Sequence, residues 1–261
     1  MGKGMALVHA FEKERRPAVQ RVLIGCSGWN YKDWKGPFYP AKGCPASRWL
    51  EFYAQHFPTV EVNSTFYRLA SRDAVARWLT QTPDDFVFAP KISRYITHIK
   101  RLGEIEQPVQ RYYERIEPLA RSPKMGPVLW QLPENFHRSD ERLQNALDNL
   151  PAGRHAFEFR HPTWFNDTTY SMLRDRGVAL VIGDDPERPF QTYEFTTDFT
   201  FIRFHGGKRG RYGNYSDSEI HDWAGRIREW AAARPVYAYF NNDWSAYAIG
   251  NARLLTKLVL G

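Results

Sequence analysis

Thr59-Val60-Glu61-Val62-Asn63 is the stretch that decides how the chain is read. Its valines fall on one face of an extended segment and Glu61 and Asn63 on the other, the period of two expected of a β-strand. The same split recurs on both sides of it. Phe157 and Phe159 oppose Ala156, Glu158 and Arg160; Ile202 and Phe204 oppose Arg203 and His205; Phe86 and Phe88 oppose Ala89 and Lys91; Val128 and Trp130 oppose Leu129 and Gln131; Val236, Ala238 and Phe240 oppose Tyr237, Tyr239 and Asn241. One face of each strand is thus apolar throughout, and the other turns polar toward its C-terminal end.

Working outward, short β-branched and aromatic runs alternate with longer stretches of helical period, the pattern of βαβ units and a parallel sheet. Eight strands are expected, at Val22–Cys26, Thr59–Asn63, Phe86–Lys91, Pro127–Gln131, His155–Arg160, Val178–Gly183, Thr200–His205 and Val236–Asn241. Helices are expected at Ala46–Phe57, Asp73–Thr80, Ile105–Ala120, Asp140–Leu150, Thr169–Arg176, Asp217–Ala233 and Ala246–Leu260, with Ser139 and Ser216 (or Asp217) as N-caps for the fourth and the sixth of these. The crossover Pro186–Asp198 has no helical period and reads as irregular. Gly25-Cys26-Ser27-Gly28 is not the glycine-rich fingerprint that a doubly wound sheet carries after its first strand. A chain of 261 residues suits an α/β protein with one (β/α)8 TIM-barrel-like domain over residues 21–261, one crossover degenerate, preceded by a basic tail over residues 1–20.

In a barrel the helix-facing side of each strand is apolar, so the polar set faces the axis. Glu61, Asn63, Lys91, Gln131, Glu158, Arg160, Arg203, His205 and Asn241 then converge at the C-terminal mouth. Buried charges are poor stabilisers compared with apolar packing, so this polarity points to a ligand site, with paired ions supporting the barrel as the competing reading. Three cations against two carboxylates favour an anion. Trp29 and Tyr67, in loops at the same end, are candidates to stack on a ligand or to plug the mouth. The basic, glycine-rich run Lys208 to Gly213 leaves the seventh strand, where such folds commonly hold phosphate, and it also has the composition of a lid.

Composition limits the partners. The 36 Lys and Arg against 29 Asp and Glu leave a net charge of +7, a bias toward anions that nucleic acid also satisfies. Two cysteines are too few for a disulfide scaffold and fit a reducing, cytoplasmic setting. No apolar run approaches the roughly 18 residues of a membrane span, so no membrane partner is expected. Nothing in the sequence speaks to the oligomeric state.

With those residues in view, the chain resembles the YecE-like family, catalogued as domain of unknown function 72. The resemblance rests on Ile24-Gly25-Cys26-Ser27-Gly28-Trp29 with Tyr31 and Trp34, Glu61-Val62-Asn63-Ser64-Thr65-Phe66-Tyr67, Phe88-Ala89-Pro90-Lys91 with Thr97-His98, and Gln131-Leu132-Pro133. It continues through Phe157-Glu158-Phe159-Arg160-His161-Pro162 with Trp164, Arg203-Phe204-His205-Gly206, and Phe240-Asn241-Asn242 with Ala248 and Asn251-Ala252. It implies a TIM-barrel-like fold and no particular reaction.

Three chemistries suit the residues. The first is cofactor-free acid/base catalysis on a small phosphate- or carboxylate-bearing substrate. There Glu158 and His205 carry protons, Lys91 acts as electrophile or Schiff-base amine, and Arg160 and Arg203 hold negative charge; Glu61, Asn63, Gln131 and Asn241 orient the substrate. The second is a metal-dependent isomerase or phosphodiesterase-type barrel, with a divalent ion on Glu158, Asp184, His205 and Asp243, against which the neighbouring arginines weigh. The third is a non-enzymatic binder of nucleic acid or nucleotide.

Overall fold

In the computed structural model the described residues are 22–188, 192–207 and 213–261. The expected Lys208 to Gly213 lid, apart from Gly213 itself, and the N-terminal tail lie outside them. The strands are β1 (Val22–Cys26), β2 (Thr59–Val62), β3 (Val87–Pro90), β4 (Val128–Gln131), β5 (His155–Glu158), β6 (Ala179–Leu180), β7 (Ile182–Asp184), β8 (Thr200–Phe204) and β9 (Val236–Phe240). They form a six-stranded sheet in the order β3-β2-β1-β9-β8-β7 and a three-stranded sheet in the order β4-β5-β6, with parallel pairing throughout.

The expected strand Val178–Gly183 is therefore two strands, because its halves have different neighbours. β6 pairs with β5, β7 pairs with β8, and Val181 between them donates its N–H to the Phe157 carbonyl at 2.9 Å. At the other junction Phe88 bridges Met125 and Lys91 bridges Leu129. The ladders do not close into one continuous sheet.

Helices α1 (Trp49–Ala54), α3 (Arg72–Thr80), α6 (Asp140–Asp148), α7 (Asp167–Asp175), α8 (Asp217–Ala231) and α9 (Tyr247–Leu260) stand where periodicity places them, with ends moved by a few residues. The expected helix Ile105–Ala120 is broken at Ile116 into α4 (Glu106–Arg115) and α5 (Glu117–Ala120). Pro118 has no N–H to continue the ladder but fits the first turn of a new helix. The four-residue α2 (Ser64–Tyr67) and a π-helical turn at Tyr95–Ile99 are too short to leave a periodic signal. No helix occurs among the described residues between β7 and β8, in line with the irregular crossover. None of the described helices is long and apolar enough to cross a membrane.

The two expected caps differ. Ser139 occupies the N-cap of α6 but its hydroxyl accepts no helix N–H, which corrects that expectation. Ser216 builds a full capping box with Glu219: its Oγ accepts from the Glu219 N–H, and Glu219 Oε2 accepts from the Ser216 N–H at 2.8 Å. Ser216→Ala is expected to cost about 1 kcal/mol, a fall of roughly 2–4 °C in melting temperature readable by calorimetry.

The alternation read from the sequence separates two apolar layers. Val60, Val62, Phe88, Trp130, Phe157, Ile202, Phe204 and Phe240 pack against the helices. Leu23, Ala89, Leu129, Ala156, Val181, Phe201 and Tyr239, drawn from both sheets, form a second cluster on the opposite face. Between β1 and β2 a side chain supplements the ladder. Cys26 N–H donates to the Tyr53 hydroxyl at 2.7 Å, and that hydroxyl donates to the Thr59 carbonyl at 3.0 Å. Gly25 makes room for it, since a Cβ there would stand 2.1 Å from the Thr59 oxygen and 2.9 Å from the Tyr53 hydroxyl.

Candidate functional site

The polar residues stand one pleat beyond the inner apolar cluster. Glu61 follows Thr59, Lys91 follows Ala89, Gln131 follows Leu129, Glu158 follows Ala156, Arg203 follows Phe201 and Asn241 follows Tyr239, each two positions on and so on the same face. At the centre Arg203, 1% exposed, joins the two sheets. Its Nε and Nη2 donate to Glu61 at 2.8 and 2.7 Å, a bidentate pair, and its Nη1 donates to Glu158 Oε2 at 2.6 Å. The other Glu158 oxygen accepts from Arg160 Nε at 3.1 Å and contacts His205 Nε2 at 2.9 Å. Asn241 Nδ2 lies 3.3 Å from His205 Nδ1.

This network sets the charges. Burial alone would raise the Glu158 carboxyl, but Arg160 and Arg203 outweigh it and hold it well below the usual carboxylate range. Burial works against the Arg203 charge as well, and Glu158 and Glu61 overcome it. Burial lowers His205, and Glu158 only partly restores it, so the imidazole is neutral at neutral pH. Glu158 accepts at Nε2, which places the ring proton there and leaves Nδ1 as the basic atom. Glu158 is thus held as an anion that accepts from His205 Nε2.

Lys91 is the exception to this pairing. It is 7% exposed, and among the described residues its ammonium has neither a hydrogen bond nor an ion pair; it sits 4.1 Å above the Phe66 ring. Burial, reinforced by Arg203, pushes it down to about 7 against the pull of Glu61 and Glu158. His98 borders the same ring at 5.0 Å and is driven down to about 4 by burial and by Lys91.

Three expected ligand contacts stand apart from the network. Gln131 is buried but turns its amide to the Leu132 carbonyl at 2.7 Å. Tyr67 is 74% exposed at the rim, edge-on to Phe66. Trp29 packs edge-on against Trp78 of α3, in the helical layer. Of the four residues considered for a metal, Asp184 accepts from Trp223 Nε1 at 2.7 Å, and Glu158 and His205 bond to each other. Among the described residues, no group of three or more His, Cys, Asp or Glu is arranged to hold an ion.

Asn63 belongs to a second polar group that the sequence reading did not assemble. Its Nδ2 donates to the Ser27 carbonyl at 2.9 Å, and the Tyr31 hydroxyl donates to the same oxygen at 2.5 Å. Burial, and after it the charge of Asp243, push the Tyr31 hydroxyl up. Parity carried the signal: Asp243 lies two residues beyond Asn241, and Ser27 two beyond Gly25.

Comparison with known proteins places this geometry among relatives. Residues 23–260 match the family model described as "Protein of unknown function DUF72". The UPF0759 protein YunF of Bacillus subtilis is 27% identical over 91% of this chain and 94% of its own length. The UPF0759 protein YecE of Escherichia coli is 35% identical over 62% of this chain, which spans 59% of that relative. A crystal structure of a DUF72 family protein from Thermotoga maritima superposes with a TM-score of 0.82 at 30% identity, over 92% of this chain and 99% of the other. One from Enterococcus faecalis gives 0.77 at 22% identity, over 91% and 95%, a likeness of fold alone.

Proposed function

Since the chain belongs to the DUF72 family, proteins of unknown function, we propose from its own side chains that it is an enzyme acting on a small anionic substrate by acid/base chemistry at the C-terminal ends of its strands. One observation carries this: Lys91, 7% exposed, has no counter-ion within ion-pair distance among the described residues, beside a network in which the other charges are paired. An unpaired buried charge is costly, and a bound phosphate or carboxylate removes the cost.

In this reading Lys91 and Arg160 bind the anion, and His205 Nδ1 takes a proton from the substrate. The Nε2–H of His205 stays on Glu158, whose charge stabilises the imidazolium that forms. Arg203 is a positioning residue, since three of its N–H groups are committed to Glu61 and Glu158. Near pH 7 part of the Lys91 population is a free amine, the form that adds to a carbonyl. The same reading takes the two sheets as one (β/α)8 barrel in one domain. The inner cluster drawing on both sheets, and the bridges of Phe88 and Lys91, support this.

The test is thermal denaturation with small phosphates and carboxylates, on the parent and on Lys91→Met. An anion at about 100 times its dissociation constant stabilises by roughly 2.7 kcal/mol, or about 5–11 °C at this size. The shift is expected in the parent and absent in the variant; equal shifts in both, or none in either, would overturn the reading. Lys91 also sets a pH dependence. Its folded value, about 7, lies below its unfolded one, so the unfolded chain binds more protons between about pH 7 and 10 and stability rises with pH there. Without anion, Lys91→Met should therefore melt above the parent near pH 6, with the gap closing toward pH 10.

Exposed Tyr67, Tyr95 and Trp244, in the segments after β2, β3 and β9, favour a second reading as a nucleic-acid or nucleotide binder. Oligonucleotides in the same assay address it: binding there should weaken steeply with salt and be indifferent to Lys91→Met.

A further inference from the structure

Just beyond the C-terminal ends of β1, β2 and β9, three side-chain oxygens are buried without a hydrogen-bond partner among the described residues: Ser27 Oγ, Asn63 Oδ1 and Asp243 Oδ1. Ser27 and Asn63 are held together, because Tyr31 and Asn63 both donate to the Ser27 carbonyl, and β9, which leads into Asp243, pairs with β1, which leads into Ser27. Buried polar atoms are almost always satisfied in folded proteins, so three orphans on one connected group point to something that completes them. Asn242 Oδ1 is also unpartnered but belongs elsewhere, since its amide reaches Asn251 on α9.

The chemistry of the orphans selects the partner. Asn63 Oδ1 only accepts, Asp243 Oδ1 accepts when ionised, and Ser27 Oγ does either, so the missing group must mainly donate. Asp243 adds adaptability: burial pushes its carboxyl up to about 7, with Glu61 adding to the rise and Tyr31 and Arg203 opposing it. Asn63 stands two residues beyond Glu61, and Asp243 two beyond Asn241, whose amide lies 3.3 Å from His205, so this group borders the ionic network. Resting on the functional reading above, we propose that Ser27, Asn63 and Asp243 form a subsite for the hydroxyl groups of the substrate. The substrate is then a polyhydroxylated anion such as a sugar phosphate or a sugar acid, its charged end on Lys91 and Arg160. Trp244, next in sequence to Asp243 and 68% exposed, offers an apolar face for such a carbon skeleton.

Calorimetric titration with glycerol 3-phosphate, glucose 6-phosphate, methyl phosphate and phosphoethanolamine tests this on the parent, Ser27→Ala and Asp243→Ala. In the parent the polyol phosphates are expected to bind at least about tenfold more tightly than methyl phosphate. That ratio should fall toward one in both variants. Ser27→Ala removes a single unpartnered, fully buried hydroxyl, so it keeps the test valid if Asp243→Ala fails to fold. Methyl phosphate binding as tightly as the polyols in the parent would overturn the subsite while leaving the anion reading intact. Phosphoethanolamine binding tightest would overturn the hydroxyl class, and a ratio unmoved in Ser27→Ala would likewise count against it. Failure of every phosphate to bind would overturn the anion reading itself.

Discussion

Arg203→Met is expected to lower the melting temperature by roughly 6–20 °C, the equivalent of about 3–5 kcal/mol, although methionine fills much of the same volume. The loss comes from what remains. Glu61 is 0% exposed and would lose both of its guanidinium hydrogen bonds, and Glu158 would lose the shorter of its arginine contacts. A second substitution sharpens the test, because replacing a buried ion pair by apolar side chains of similar volume is often neutral or stabilising. Arg203→Met with Glu61→Leu should therefore recover a large part of the loss by removing the stranded carboxyl. Denaturant melts of the two variants decide it, and a single Arg203→Met within about 1 kcal/mol of the parent would mean that the network is not the keystone described here.

Gly25→Ala should be as damaging, for a steric reason. The added methyl would stand 2.1 Å from the Thr59 carbonyl oxygen, a backbone atom that cannot turn aside. Relief requires β1 and β2 to separate, which opens the Cys26 to Tyr53 to Thr59 relay of hydrogen bonds. A cost of about 3 kcal/mol or more, or failure to accumulate as folded protein, is expected. Tyr53→Phe separates the two contributions. It leaves the strands in place but strands the Cys26 N–H and the Thr59 carbonyl, each costing about 1–3 kcal/mol. If Gly25→Ala melts within about 1 kcal/mol of the parent, the close strand approach is wrong.

Much of the site was legible because a strand alternates strictly. Once Val60 and Val62 are assigned to the helical layer, Glu61 must face the other way, and the same parity places Glu158, Arg203 and His205 without further information. Parity says nothing about rotamers, however. Gln131 shares the polar face yet spends its amide on its neighbour's carbonyl, and Trp29, read as a mouth aromatic, lies against α3. The division of roles between Glu158 and His205 was equally hidden, since it depends on two arginines reaching one carboxylate across both sheets. In the fold, the partner change at Val181 leaves no mark on a continuous apolar run, whereas Pro118 could have announced the break at Ile116. Parity also marked Ser27, Asn63 and Asp243, but only the structure shows Tyr31 and Asn63 meeting on the Ser27 carbonyl.

The apolar layer under the ions has a consequence for traffic. Ala89, Leu129, Ala156, Phe201 and Tyr239 form a floor immediately below Lys91, Gln131, Glu158, Arg203 and Asn241. An ion entering this apolar layer would lose its solvation. In the functional reading proposed above, a substrate would therefore approach and leave His205 from the side of the strands' C-terminal ends, away from this floor.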